Sequence, residues 1–146
     1  MLLSLVLAAI APAHALVDLR LTGGGGVSAW GPAGRIGLDG EVWFGKHWGI
    51  GARVAGGLDG TSPLVVLGPQ VPIRLLGGKT VAWIVEPGLG VAADLDVNQN
   101  ALLNLGVFTG VQAKLLFLSG SAGIRLETYG FQDSAATLEL GFGLGI

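Results

Sequence analysis

Between Arg35 and Phe44 the chain alternates in character: Ile36, Leu38, Val42 and Phe44 share one parity, and Arg35, Asp39 and Glu41 share the other. Successive side chains of a β-strand point to opposite faces, so this segment has one apolar face and one charged face. The same alternation recurs along the chain and predicts eight strands, over 16–23, 34–44, 48–56, 64–75, 80–92, 101–116, 120–130 and 135–146. The apolar parity holds Val17, Leu19 and Leu21 in the first strand, Trp48, Ile50 and Val54 in the third, and Leu138, Leu140, Phe142 and Leu144 in the last. The opposite parity holds Asp18, Arg20, Arg35, Asp39, Glu41, Arg53, Arg74, Glu86, Lys114, Arg125, Glu127 and Glu139. No two segments copy one another; the repeat is one of pattern, as successive hairpins produce.

Composition says which environment this pattern serves. Hydrophobic residues make up 51% of the chain and charged residues only 12%, about half the charged share of an ordinary soluble protein. Yet after the first fifteen residues no uninterrupted apolar run is long enough for a membrane-spanning helix: 80–93 and 101–113 are broken by Glu86, Pro87, Asn104 and several glycines. A closed barrel is the other structure that satisfies its backbone within lipid. The opening MLLSLVLAAIAPAHA, with an apolar core from Leu2 to Ile10 and Ala13-His14-Ala15 after it, predicts a signal peptide over 1–15 and a single barrel domain over 16–146. It departs from the usual pattern in having no Lys or Arg before the apolar core. The chain has no cysteine, which removes disulfides and thiolate chemistry, and its net charge of −2 argues against a nucleic-acid partner.

Parity alone does not say which face is inside. A soluble lipocalin-like barrel turns its apolar face inward, but twelve charges are too few for a water-facing exterior, where ~25–35% of positions are charged. The rest of the charged face is rich in glycine, among them Gly37, Gly51, Gly68, Gly90, Gly110, Gly123 and Gly143. Small residues suit the narrow lumen of an eight-stranded barrel. The expected fold is therefore all-β, an eight-stranded antiparallel transmembrane up-and-down barrel with its charges inside. Within a narrow lumen those charges must pair, since an unpartnered buried charge costs several kcal/mol. A charge network that plugs the bore is expected; lumen charges arranged around a water path would instead make a narrow channel for ions or small solutes.

Connections and aromatic residues predict orientation. Lys46 and Lys79 fall in the tight turns Gly45–His47 and Leu76–Lys79, whereas Asp59, Asp94, Asp96 and Asp133 fall in alternate connections expected to be longer. Outer-membrane barrels have short periplasmic turns and longer outer loops, which places the lysine turns and both termini in the periplasm. Phe44, Trp48, Trp83 and Phe117 gather near that end as an interface girdle. Trp30 and Phe131 are the expected outward contacts. Pro69, Pro72 and Pro87 each remove a ladder donor and predict a bulge or break in the hairpin of strands four and five. Gly23–Gly26 predicts a flexible loop or a bulged strand end.

Laid out this way, the chain resembles the small eight-stranded outer-membrane barrels, such as the OmpA-type transmembrane domain and OmpX. The C-terminus carries the most specific likeness. Such barrels end on a polar-x-Gly-x-x-apolar-x-apolar assembly signal, and Glu139, Gly141, Leu144 and Ile146 occupy those places, with Ile where Phe is more usual. The resemblance implies insertion by the barrel-assembly machinery, outer-membrane lipid and lipopolysaccharide as surroundings, a monomer, and no cofactor. Some barrels of this size modify lipid A with a His, a Ser and an acid near the outer face. Here His14 lies in the predicted signal peptide and His47 in a predicted periplasmic turn, so no enzyme is expected.

Three motif-like stretches carry nothing further. Gly77-Gly78-Lys79-Thr80 imitates the end of a phosphate-binding loop, but Ile73 stands where that motif needs Gly. Gly88–Ala93 imitates a dinucleotide fingerprint without a following helix. Asp94, Asp96, Asn98 and Asn100 offer oxygen ligands but lack the glycine and distal Glu of a calcium loop.

Overall fold

The computed structural model of the chain describes residues 16–78, 80–95 and 101–145. The predicted signal peptide with His14, together with Lys79, Asp96, Asn98, Asn100 and Ile146, lies outside the described residues.

The strands are β1 (Leu16–Ser28), β2 (Gly31–Phe44), β3 (Trp48–Asp59), β4 (Ser62–Gln70), β5 (Ile73–Gly77), β6 (Val81–Asp94), β7 (Ala101–Leu115), β8 (Leu118–Tyr129) and β9 (Asp133–Gly145). Apart from β4 and β5, which each pair with β3 and β6, every strand pairs antiparallel with its neighbours in sequence, and β1 pairs with β9 from Asp18↔Gly145 to Ser28↔Ala135. That last pairing closes the sheet, so no edge is left to face lipid unpaired. β4 and β5 occupy one position of the wall, giving a closed eight-strand up-and-down barrel.

The interruption between β4 and β5 follows from the prolines. Val71 donates to the Pro87 carbonyl at 2.9 Å and Gly49 donates to the Pro72 carbonyl at 2.9 Å, so the break is bridged by hydrogen bonds that proline can accept but not donate. The register between this wall position and β6 then slips by one residue at a bulge between Arg74 and Leu76. The break occurs where the prolines predict it, and the bulge follows in the same wall position.

Alternation governs burial throughout. Leu19, Leu21, Ile36, Leu38, Leu138, Leu140 and Phe142 point outward, while Asp18, Arg20, Asp39 and Glu41 are at most 1% exposed. A soluble barrel has the reverse arrangement, and the burial pattern excludes it.

Two expectations require correction. Gly23–Gly26 is neither loop nor bulge: β1 runs through it in unbroken register with β2 and β9. The strands approach so closely there that a Cβ on Gly26 would sit 1.9 Å from the Ala136 carbonyl oxygen. Nor do the two ends of the barrel differ consistently in loop length. One end, called here the terminal end, carries residues 16 and 145 and the turns at 45–47, 78–80 and 116–117. At the far end, Ala29–Trp30 and Gly60–Thr61 are two-residue turns and Gly130–Gln132 has three residues, leaving 95–100 as the longer connection. The longer strands reclaim the residues assigned to loops, so Asp59 and Asp94 end β3 and β6, and Asp133 begins β9. Glycine makes the tight reversal feasible at Gly60, whose φ is +61°.

Candidate functional site

The middle of the lumen is filled by charge. Asp18, Arg20, Arg35, Asp39, Glu41, Arg53, Glu86, Arg125, Glu127 and Glu139 are each no more than 5% exposed. Arg20 from β1 bonds Glu41 of β2 and, at 2.7 Å, Glu86 of β6. Arg125 of β8 lies 3.5 Å from the other Glu86 oxygen and grips Glu139 of β9 with two bonds, Nε to Oε2 at 2.9 Å and Nη2 to Oε1 at 3.1 Å. Arg53 of β3 grips the same carboxylate from the other side, Nη2 to Oε2 at 2.7 Å and Nη1 to Oε1 at 3.2 Å, and reaches Asp39 at 3.2 Å. Six strands thus meet in one chain of ion pairs running from Glu41 to Asp39. Paired, multiply bonded charges of this kind satisfy one another where water does not.

Above and below this layer the lumen changes. Toward the far end, the Arg35 Nη2 donates to the Tyr129 hydroxyl at 2.7 Å and to Asp59 at 3.2 Å, and Tyr129 donates in turn to Glu127 at 2.8 Å. Ala33, Leu64, Val66, Ala92 and Ala135 pack around Tyr129. Toward the terminal end, Asp18 accepts from Ser119 at 2.7 Å and Gln112 at 3.2 Å and pairs with Lys114 at 2.6 Å. There an apolar cluster of Trp43, Ala82, Ile84 and Phe108 fills the bore. Lys114 and Arg74 both lie over the Trp43 ring, at 5.4 and 4.7 Å, and Arg125 lies over Phe108 at 5.3 Å.

Of the twelve charges read from the sequence, Arg74 is the one that does not join the buried network: it is half-buried at the terminal mouth and donates to the Lys46 carbonyl at 2.9 Å. It keeps the lumen-side parity, paired across the sheet with buried Ile84, and its guanidinium lies over Trp43 at the mouth of the bore. Asp59, assigned to a loop, belongs to the network instead. Trp43, Ile84, Phe108 and Tyr129 were also missed as lumen residues. Strict parity would have found them, since Trp43 shares the face of Glu41, Ile84 that of Glu86, Phe108 that of Gly106, and Tyr129 that of Glu127.

The remaining assignments fall as follows. Phe44 and Trp48 stack at 5.0 Å beside the 45–47 turn, Trp83 lies near the same end with its indole donating to Thr109, and Phe117 sits in the 116–117 turn. In the assembly motif Glu139 and Gly141 face the lumen side, Leu144 faces outward, and Ile146 is outside the described residues. Residues 88–93 lie within β6, and Gly77 ends β5 just ahead of β6, with Lys79 outside the described residues.

Packing leaves little space in the middle. A cavity of about 20 Å³, lined by Arg53, Gln70, Asn104, Arg125 and Glu127, has room for about one water. The arrangement fixes charges of both signs across the bore, each carboxylate of that ion-pair chain paired with a guanidinium.

The fold these features define is that of the small eight-stranded outer-membrane barrels. The structure is similar to that of the N-terminal β-barrel domain of Pseudomonas aeruginosa OprF, with a TM-score of 0.73 at 12% identity over 90% of this chain and 97% of that one. It is similar also to Neisserial surface protein A (TM-score 0.63, 13% identity, 89% and 96% covered) and to the outer membrane enzyme PagL (TM-score 0.61, 15% identity, 85% and 97% covered). In sequence the chain matches no protein-family model and no curated protein.

Proposed function

We propose that the protein is a non-enzymatic, monomeric integral protein of the bacterial outer membrane whose lumen is sealed, and that it serves envelope integrity or contact at the cell surface. The observation that carries this reading is the ion-pair chain from Arg20 through Glu86, Arg125, Glu139 and Arg53 to Asp39, which crosses the bore with room for about one water beside it. Its outward-facing leucines and its fold support a membrane position. The terminal end, with Lys46 and the Phe44–Trp48 pair, is assigned to the periplasm, which puts both termini there. Trp30 and Phe131, 67% and 73% exposed in far-end turns, then become the outward contacts. A non-enzymatic role is supported by the setting of His47: it lies in the 45–47 turn beside Lys46 and Arg74, and the cavity there has no carboxylate among its lining residues to orient a base.

The test is single-channel recording of refolded protein in a planar bilayer, with folding verified by heat-modifiable gel mobility. The expected result is a folded, silent barrel, and the double variant Arg125→Ala/Glu139→Ala conducts. Discrete, reproducible steps from the unaltered protein would overturn the sealed reading in favour of a narrow channel. Orientation is read separately, by labelling cysteines introduced at Thr61 and at Lys46 in intact cells; the Thr61 site reacts and the Lys46 site stays protected.

A further inference from the structure

The break in the fourth wall position has a chemical product. Arg74, Leu75, Leu76, Gly77 and Gly78 meet Lys46 and His47 of the neighbouring turn around an open cavity of about 390 Å³. Among the described residues that line it there is no Asp or Glu, while two permanent cations and an imidazole share it. Arg74 is held in place at both its side chain and its backbone. Its Nη1 donates to the Lys46 carbonyl at 2.9 Å, its own backbone N–H donates to the His47 carbonyl at 2.7 Å, and its Cζ rests 4.7 Å from the Trp43 ring centre. Its Nε–H, shielded from solvent, has no acceptor among the described residues. A fixed guanidinium lining an open cavity, beside a lysine in a hairpin turn, is suited to a phosphate oxygen.

The walls of the cavity tell which phosphate. The bulge between Arg74 and Leu76 breaks the alternation, so Leu75 and Leu76 both face outward, 56% and 73% exposed. Trp48, half exposed and paired across the sheet with Ile73, stacks on Phe44 next to the same turn. Aromatic rings of this kind settle at the headgroup level of a bilayer. The place therefore offers cations on its polar side and leucine and indole on its lipid side, a few residues from the barrel's end. We propose that it is a binding site for the headgroup phosphate of an anionic membrane phospholipid, with Lys46, His47 and Arg74 on the phosphate and Leu75, Leu76 and Trp48 along the upper acyl chain. This rests on the barrel spanning a bilayer, but it does not depend on the lumen being sealed.

Native mass spectrometry of the refolded full chain tests it, with phosphatidylglycerol and phosphatidylcholine titrated into the carrying micelles. The chain retains phosphatidylglycerol in preference to phosphatidylcholine. Lys46→Ser, a change at an exposed turn position, weakens retention by about five-fold, and adding Arg74→Gln weakens it by about five-fold again. Gel mobility shows that both variants fold. Equal retention of the two lipids, or retention unchanged in Lys46→Ser, overturns the proposal while leaving the outer-membrane reading intact. Displacement of the lipid by millimolar inorganic phosphate overturns the commitment to a lipid, because it makes the site one for free phosphate. A chain that never enters bilayer or micelle in folded form overturns the membrane reading itself.

Discussion

The middle of the lumen and its far mouth use the same residue types to different ends. In the middle, Glu139 takes both guanidiniums of Arg53 and Arg125, each through two bonds, and Asp39 and Glu86 complete the set. At the far mouth Arg35 donates to Tyr129, Asp59 and the Leu58 carbonyl and lies 3.5 Å from Glu127. Beyond it a bowl of about 300 Å³ opens, lined by Trp30, Asp59, Asp94, Leu102, Tyr129 and Asp133. The difference is one of access to water. Middle charges hold one another from several strands at once, so each is needed; mouth charges have space beside them, and water can take the place of a lost partner.

That contrast orders the expected effects. Glu139→Ala leaves two buried guanidiniums short of a counter-charge and should cost about 3–5 kcal/mol, read as a lower urea midpoint at unchanged slope for the barrel in lipid vesicles. A shift below about 1 kcal/mol would mean that the middle is hydrated and not locked. Tyr129→Phe removes the hydroxyl that links Arg35 to Glu127 and should cost about 1–3 kcal/mol in the same assay. If it costs as much as Glu139→Ala, the mouth is as tightly coupled as the middle and the comparison fails. Asp59→Asn keeps an oxygen for Arg35 and should cost about 1 kcal/mol or less. The smallest change is a gain, and it lies outside the lumen. Leu116, 90% exposed in its turn, holds a φ of +55°, so Leu116→Gly should stabilise the barrel by about 1 kcal/mol. A loss there would show that Leu116 makes a contact in lipid worth more than its backbone strain.

Much of the architecture is legible in the chain before any coordinates. Alternation at Arg35–Phe44 assigns each residue a face, and the prolines at 69, 72 and 87 mark the broken hairpin. Turn lengths at the far end were less legible, because Gly23–Gly26, Asp59 and Asp94 are residue types that serve turns and strand ends alike. Arg74 keeps its lumen-side parity and ends at the mouth; the one-residue bulge after it turns Leu76 outward, and nothing in Arg74-Leu75-Leu76 announces that shift. The filling of the terminal end by Trp43, Ile84 and Phe108 was written in the parity but hidden by the expectation that a lumen holds only small and charged residues.

By itself, then, the sequence determined the faces: period-two alternation needs only the local geometry of an extended chain, and it decides which side chains share a wall. Partner choice belongs to the tertiary structure. Arg20 and Glu86 are 66 positions apart, and Arg53 and Glu139 are 86 apart. Such pairs meet only once β9 has closed onto β1 and the stagger of the strands has set every side chain at its height in the bore.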